Sequence, residues 1–183
     1  MRLFAAVLPP EAAVAELARA VQGVQDDRLR WTGRAGWHFT LAFMGEVREE
    51  VLADLHARLA RAAGRTAPFA LRLHGSGHFG DRALWAGAAG DLDAMRLLAE
   101  RADAAARRAG VPMDQHRRYT PHLTLARSRD GADLTPYVSA LGSYEGTSWQ
   151  VTELSLVRSN LPASGVPGEQ PRYETVGAWP LKG

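Results

Sequence analysis

The six residues at 38–43, His-Phe-Thr-Leu-Ala-Phe, return at 122–127 as His-Leu-Thr-Leu-Ala-Arg, 84 residues further along the chain. The chain has 183 residues and only 6 of them are histidine. Chance therefore predicts about 0.03 copies of His-x-Thr-Leu, and two copies indicate an internal repeat. Each copy is typical of a strand and is followed by a segment with helical periodicity, so we expect two similar halves.

Alternation along a strand assigns the polar residues of both copies to one face, because successive side chains point to opposite sides. On this polar face lie two imidazoles and two hydroxyls: His38, Thr40, His122 and Thr124. On the apolar face lie the residues that anchor each strand in a core: Phe39, Leu41 and Phe43 in the first copy, Leu123 and Leu125 in the second. An approximate twofold axis between the copies would bring both polar faces to one cleft.

Two imidazoles at one site are suited to acid–base chemistry near neutral pH, where histidine titrates. One neutral ring takes a proton from water, and the other, protonated, gives a proton to a leaving oxygen. Threonine hydroxyls donate hydrogen bonds to the non-bridging oxygens of a phosphate and hold the phosphorus for in-line attack. This chemistry requires neither a metal nor another cofactor, and we expect none.

The composition excludes several other classes of enzyme. The chain has no cysteine, which removes thiol nucleophiles, zinc–thiolate sites and iron–sulfur clusters. Lys182 is the only lysine, so 21 of the 22 cationic side chains are arginine and a lysyl–adenylate intermediate is not expected. Arginine is the residue best suited to bidentate contacts with phosphate.

Length predicts one domain over residues 1–183, or two small lobes that share a core. The repeat places one motif in each half of this domain, at 38–41 and 122–125. No run reaches the ~18 apolar residues of a membrane span, so no contact with a membrane is expected. The lack of cysteine agrees with a cytoplasmic location. We expect a monomer.

The periodicity predicts an α+β fold with mainly antiparallel sheets, because strands and helices alternate without a βαβ rhythm. Helical spacing of apolar residues covers these segments: 10–23, 48–63, 91–110 and 133–141. Strand-like runs cover these: 2–8, 37–43, 68–74, 83–88, 121–127, 149–158 and 172–179. The segment 75–80 fits G-x-G-x-x-G but leads toward another strand, so we interpret it as a tight loop rather than a cofactor site.

The doubled motif resembles that of the 2H phosphoesterase superfamily, and the whole chain is similar to its LigT-like branch, the RNA 2′,3′-cyclic phosphodiesterases. The flanking stretches that add to this resemblance are 1–7, 37–46, 79 with 84–87, 118–127 and 156–159. The resemblance implies two pseudo-symmetric α+β lobes around a central cleft, with helices on the outside. It also implies hydrolysis of RNA ends or nucleosides carrying a 2′,3′-cyclic phosphate to a 2′-phosphate, with 2′–5′ joining of RNA ends as a side activity.

The same resemblance assigns roles to individual residues. By analogy His38 protonates the departing 3′ oxygen and His122 activates the water, although the near symmetry of the motifs leaves this order open. Arg127 is similar to the family's phosphate-contacting arginine, but strict alternation would turn it away from His122, so the strand must end or bend there. Three further residues are candidates for contacts with RNA. Phe79 can stack on a base, and Arg118 and Tyr119, in the basic cluster at 116–119, can contact the backbone.

Two alternative functions are compatible with parts of the sequence. A non-catalytic module that binds RNA ends or nucleotides would use the same cleft, but altered histidines would be typical of it and both are intact here. A metal-dependent phosphatase would require a cluster of carboxylates and histidines, and no such spacing is present.

Overall fold

The computed structural model of the chain describes residues 1–114, 118–163 and 169–183. In these ranges the chain forms nine β-strands and four α-helices. The strands are β1 (Arg2–Val7), β2 (Leu29–Trp31), β3 (Phe39–Glu46), β4 (Phe69–Phe79), β5 (Ala83–Gly90), β6 (Leu123–Ser128), β7 (Trp149–Val151), β8 (Glu153–Asn160) and β9 (Arg172–Pro180). The helices are α1 (Glu11–Gln22), α2 (Glu49–Gly64), α3 (Leu92–Arg108) and α4 (Thr135–Leu141).

The strands form two antiparallel sheets, and each sheet holds one copy of the repeated motif. The first sheet has the order β3-β1-β8-β9, and the second has the order β2-β6-β5-β4-β7. Helices α2 and α3 lie against the first sheet, whereas α1 and α4 lie against the second. The predicted α+β class, with two lobes of antiparallel sheet, is therefore confirmed.

The helices begin and end close to the predicted positions because local signals mark their ends. Helix α3 is capped by Asp91, whose carboxylate accepts a hydrogen bond of 3.0 Å from the backbone N–H of Ala94. Two arginines occupy its last turn, where the helix dipole favours positive charge. Gly110 follows with a φ of +93°, a conformation that glycine adopts without strain.

The predicted strand 149–158 is wrong as one element, because it is divided between the two sheets. Strand β7 pairs with β4 in the second sheet, and β8 pairs with β1 and β9 in the first. The chain thus crosses between the sheets at Thr152. Both segments have a similar local propensity to form β-strands, so only the long-range strand pairing shows where the chain divides between the sheets.

The tight loop predicted at 75–80 is shorter than expected. Strand β4 continues to Phe79, and Ser76–Phe79 pair with β5, so that the turn is confined to residues 80–82. Gly75 has a φ of +66° at an irregularity of this pairing. A Cβ at Gly77 would lie 2.3 Å from the indole ring of Trp85, so the glycine makes room for that ring. The segment leads into a strand and not into a helix, as predicted.

One hydrophobic core connects the two sheets. It contains fully buried residues from the first sheet, from the second sheet and from α3, such as Leu3, Leu84 and Leu98. A smaller apolar group of Phe4, Ala6 and Val157 lies on the opposite face of the first sheet. In the described ranges, no helix is long and apolar enough to cross a membrane.

Candidate active site

Residues of both copies of the motif line one cleft of about 460 Å³ between the sheets. His38 immediately precedes β3, at the edge of the first sheet, and His122 immediately precedes β6; the rest of each motif lies on these strands. All four residues of the predicted polar face line this cleft: His38, Thr40, His122 and Thr124. The structure therefore brings together the residues that the sequence places on the polar face of each motif.

Each motif strand carries a β-bulge at its leucine. In the first sheet Ala6 pairs with Thr40 and Ala5 pairs with Ala42, so Leu41 is an extra residue on β3. The second sheet repeats this arrangement, since Trp85 pairs with Thr124 and Leu84 pairs with Ala126, which leaves Leu125 as the extra residue on β6. In both strands the leucine and the following alanine are buried. The repeat is therefore preserved in the backbone as well as in the residue types.

The bulge reverses the alternation, so the residue three positions after each threonine returns to the cleft. Arg127 lines the cleft with His122 even though β6 continues to Ser128. The sequence analysis expected the strand to end or bend at Arg127, and the bulge at Leu125 is that bend. Phe43 occupies the same position in the first copy and also lines the cleft, with 51% of its surface exposed. The prediction that Phe43 packs in the core with Phe39 and Leu41 is therefore wrong.

The two imidazoles are held by the same local hydrogen bond. Nδ1 of His38 lies 2.8 Å from the carbonyl oxygen of Gly36, and Nδ1 of His122 lies 2.9 Å from that of Thr120. A carbonyl oxygen only accepts, so Nδ1 carries the hydrogen in both rings. Nε2 is therefore the nitrogen that gains or loses a proton in each histidine.

Aromatic rings support both imidazoles from the two sheets. His38 is stacked on Phe4 with ring centroids 4.5 Å apart, and Tyr173 meets it edge-on at 5.3 Å. His122 meets the ring of Phe79 edge-on at 4.8 Å, and Trp85 lies behind at 6.2 Å. These contacts restrict the orientation of both rings.

Burial lowers the pKa of His38 below its ordinary value of 6.5. The hydrogen bond to Gly36 opposes this shift, and the charge of His122 adds to it. His38 is therefore neutral in the empty cleft at pH 7.

The cleft is rich in positive charge. Arg2 and Arg30 line it together with Arg127, and Glu169 contributes a carboxylate. The guanidinium of Arg2 also lies 4.9 Å from the centre of the Phe43 ring. Burial raises the pKa of the Tyr173 phenol, and the charges of Arg127 and Arg2 oppose that shift. Such a cleft favours an anionic ligand.

The other candidate residues lie outside the cleft lining. Phe79 touches the ring of His122 and remains 38% exposed. Tyr119 is partly buried, and its hydroxyl donates a hydrogen bond of 3.2 Å to the carbonyl oxygen of Thr40. Burial raises the pKa of this phenol. Arg118 is exposed. The first two residues of the predicted basic cluster, 116 and 117, lie outside the described residues.

Sequence reasoning missed several residues that line the cleft, among them Arg2, Arg30 and Tyr173. Alternation in β1 was a usable signal, because Arg2 and Phe4 point away from the core face of Leu3 and Ala5. No such signal existed for Arg30, because β2 has only three residues and was not predicted. Among the described residues, no group of three or more His, Asp or Glu is arranged to hold a metal ion.

Comparison with known proteins identifies the family. A model described as the 2′-5′ RNA ligase superfamily matches residues 9–162. The chain belongs to this superfamily. The resemblance to 2H phosphoesterases of the LigT-like branch, inferred from the doubled motif, is thereby confirmed.

The relatives of known name agree with this assignment. An RNA 2′,3′-cyclic phosphodiesterase of Thermus thermophilus is 33% identical over all of this chain and 91% of its own length. An RNA 2′,3′-cyclic phosphodiesterase of Geobacillus stearothermophilus is 33% identical over 84% of this chain. This chain spans about half (48%) of the length of that relative. A crystal structure from Thermus thermophilus has a TM-score of 0.81 and 31% identity, covering 100% of this chain and 99% of its own. The apo form of E. coli LigT has a TM-score of 0.80 and 26% identity, with coverages of 100% and 98%.

Proposed function

We propose that this protein is an RNA 2′,3′-cyclic phosphodiesterase, a hydrolase that opens a terminal 2′,3′-cyclic phosphate to a 2′-phosphate. One observation carries the proposal. Two imidazoles, each held through Nδ1 by the carbonyl two residues upstream, line one arginine-rich cleft on matching bulged strands. The relatives named above support the same activity, and a structure of E. coli LigT complexed with 3′-AMP supports a nucleotide ligand.

In the proposed reaction a water oxygen attacks phosphorus while the bond from phosphorus to the 3′ oxygen breaks. His122 takes the proton of the water at Nε2, and His38 gives a proton from Nε2 to the departing 3′ oxygen. The hydroxyls of Thr40 and Thr124, with the Arg127 guanidinium, stabilise the charge on the non-bridging oxygens. The product is a 3′-hydroxyl with a 2′-phosphate, and proton exchange with solvent restores both rings.

The lowered pKa of His38 constrains this assignment. A proton donor must be charged when the substrate is bound, whereas burial keeps His38 neutral in the empty cleft. The phosphodiester is an anion, and a nearby negative charge raises the pKa of an imidazole. The negative charge of the bound substrate thus raises the pKa of His38, which then takes up the proton that it donates as the acid.

The proposal includes no metal and no cofactor, because the two rings supply both proton transfers. If an RNA 5′-hydroxyl replaced water as the attacking group, the same steps would join two ends through a 2′–5′ linkage, which is the side activity implied by the family name. We further propose that both lobes act as one unit in a monomer, in the cytoplasm.

The test offers the protein a short RNA that ends in a 2′,3′-cyclic phosphate and identifies the phosphomonoester by mass spectrometry and phosphatase mapping. The expected product carries the phosphate on the 2′ oxygen. A 3′-phosphate product would contradict the assigned leaving group. Binding of the RNA end without any turnover would instead establish the non-catalytic end-binding module.

A further inference from the structure

We infer that one arginine of the cleft and two arginines beside it form a subsite for the backbone phosphate upstream of the cyclic end. The preferred substrate is then an RNA oligonucleotide rather than a free nucleoside 2′,3′-cyclic phosphate. This inference rests on the proposed function. It concerns Arg30, Arg82 and Arg129, of which only Arg30 lines the cleft itself.

A second depression of about 340 Å³ adjoins the cleft and shares two lining residues with it. Arg30 and Arg127 line both, and the depression adds Arg82 and Arg129 on its far side. Asp81 is the acidic residue among its lining residues, so positive charge prevails there. A ligand held at the two histidines can thus extend past Arg127 onto a basic surface.

The backbone holds these arginines together. Arg30 of β2 lies directly opposite Arg127 of β6 in the antiparallel pairing. The turn before β5 is fixed to the end of β6, because the N–H of Ser128 donates a hydrogen bond of 2.9 Å to the carbonyl oxygen of Arg82. Arg82 and Arg129 therefore flank the same end of the second sheet.

The clustered positive charges of these arginines destabilise the fold unless an anion binds between them. Like charges that lie directly opposite on neighbouring strands destabilise a sheet. Among the described residues, no ion pair or side-chain hydrogen bond relieves Arg30, Arg82, Arg127 or Arg129, and all four are exposed. A phosphodiester between them offsets the repulsion and accepts bidentate contacts from the guanidinium groups.

The geometry of the substrate decides which phosphate this is. A cyclic phosphate occupies both the 2′ and the 3′ oxygens, so the RNA chain can continue only through the 5′ oxygen of the terminal nucleoside. The next anion along the strand is the phosphodiester on that oxygen, and a nucleoside 2′,3′-cyclic phosphate has none. The subsite therefore distinguishes the two substrate classes.

The experiment compares adenosine 2′,3′-cyclic phosphate with a five-nucleotide RNA that ends in the same cyclic adenosine. We expect kcat/KM to be at least about tenfold higher for the RNA, as the loss of hydrogen bonds to a charged group implies. In the Arg82→Ala/Arg129→Ala variant we expect this ratio to fall toward one, mainly through a higher KM for the RNA. Arg61→Ala, which removes an exposed arginine of α2, is the matched control and keeps the wild-type ratio.

Salt dependence provides a second readout. Each phosphate contact to a single strand contributes about −0.7 to the slope of log affinity against log salt concentration. We expect the double variant to show a shallower slope with the RNA than the wild type or Arg61→Ala. An RNA:nucleoside ratio near one in the wild type, or a ratio and slope unchanged in the double variant, would overturn the subsite. Absence of hydrolysis with both substrates would instead refute the proposed function.

Discussion

The hydrogen bond at Nδ1 is what allows each histidine to exchange its proton at one defined atom. His38 and His122 have different neighbours, yet both use the carbonyl oxygen two residues upstream. This contact fixes the tautomer, and the stacked or edge-on rings fix the plane. In the proposed reaction, these contacts hold Nε2 of each ring in place for proton transfer before the substrate binds, which reduces the reorganisation that the reaction requires.

Replacing either histidine is expected to abolish most turnover. His38→Gln and His122→Gln each remove a proton donor or acceptor, and such losses lower the rate about 10²–10⁴-fold. His74→Gln is the matched control, because His74 is exposed on β4 and does not line the cleft. Single-turnover rates of the three variants, compared at equal folded fraction by circular dichroism, test this prediction. Near-wild-type rates in either cleft variant would contradict the paired mechanism.

The lowered pKa of His38 predicts a displaced pH profile. The proposed mechanism requires a charged His38 in the free enzyme, so kcat/KM is expected to fall as pH rises through a value below 6.5. The bound phosphodiester raises that pKa, and the corresponding fall in kcat is expected at higher pH. Initial rates with the cyclic-phosphate RNA from about pH 4.5 to 9 measure both limbs. A falling limb at the same pH in both profiles would show that substrate charge does not act on His38.

The same shift has a consequence for stability. The unfolded chain binds a proton at His38 near pH 6.5, whereas the folded chain binds it only at lower pH. The contribution of this group to stability is therefore present above pH 6.5 and is lost as pH falls through the lowered value. Urea unfolding of the wild type and of His38→Gln between about pH 7.5 and 5 measures the difference, and parallel curves would contradict the predicted sign.

Glycine at position 77 is needed for the strand geometry behind His122. Gly77 lies opposite Trp85 in the pairing of β4 with β5, and the indole ring covers it. A methyl group there displaces the ring, and overpacking of this kind costs about 1–3 kcal/mol of unfolding free energy. We expect Gly77→Ala to lower both the urea midpoint and kcat, since Trp85 lies behind His122.

Gly64→Ala is the matched control for this variant. Gly64 lies at the end of α2, and apart from its chain neighbours and the backbone of its own helix no atom lies within 4 Å of the added methyl group. Alanine is favoured over glycine in a helix by about 0.5–1 kcal/mol, so this variant is expected to be as stable as the wild type or more stable. An equal loss of stability in both glycine variants would mean that packing against Trp85 is not the cause.

Local patterns in the sequence predicted most elements but not the features that depend on pairing. Capping residues, glycines and apolar periodicity locate all four helices, and alternation locates the motif strands. The bulges at Leu41 and Leu125 leave no local mark, because a strand with an extra residue has the same composition as one without it. For this reason the polar face of both motifs was predicted, whereas Phe43 was assigned to the wrong side.

At the scale of the whole molecule, the cleft depends on two sheets that share one core. Helix α3 packs against α2 and also against strands of both sheets, β3 and β4. The chain passes between the sheets at Thr152 without a linker. Among the described residues, the large core is shared by both lobes, and the only other apolar cluster is the small group of Phe4, Ala6 and Val157 on the first sheet. The distance between the motifs is therefore set by the packing between the sheets.

This shared core predicts that the two lobes unfold in one cooperative transition. Native-state hydrogen exchange in increasing urea is expected to show the slowest amides of β1 and of β5 opening with the same free energy and the same urea dependence. Leu98→Ala removes a fully buried side chain of α3, which costs about 2–5 kcal/mol, and it is expected to lower the opening free energy of both strands equally. Loss of protection in β1 alone, or in β5 alone, would show that each lobe is stable by itself. The two lobes could then move relative to each other, and the distance between His38 and His122 would not be fixed by a shared core, contrary to the proposal.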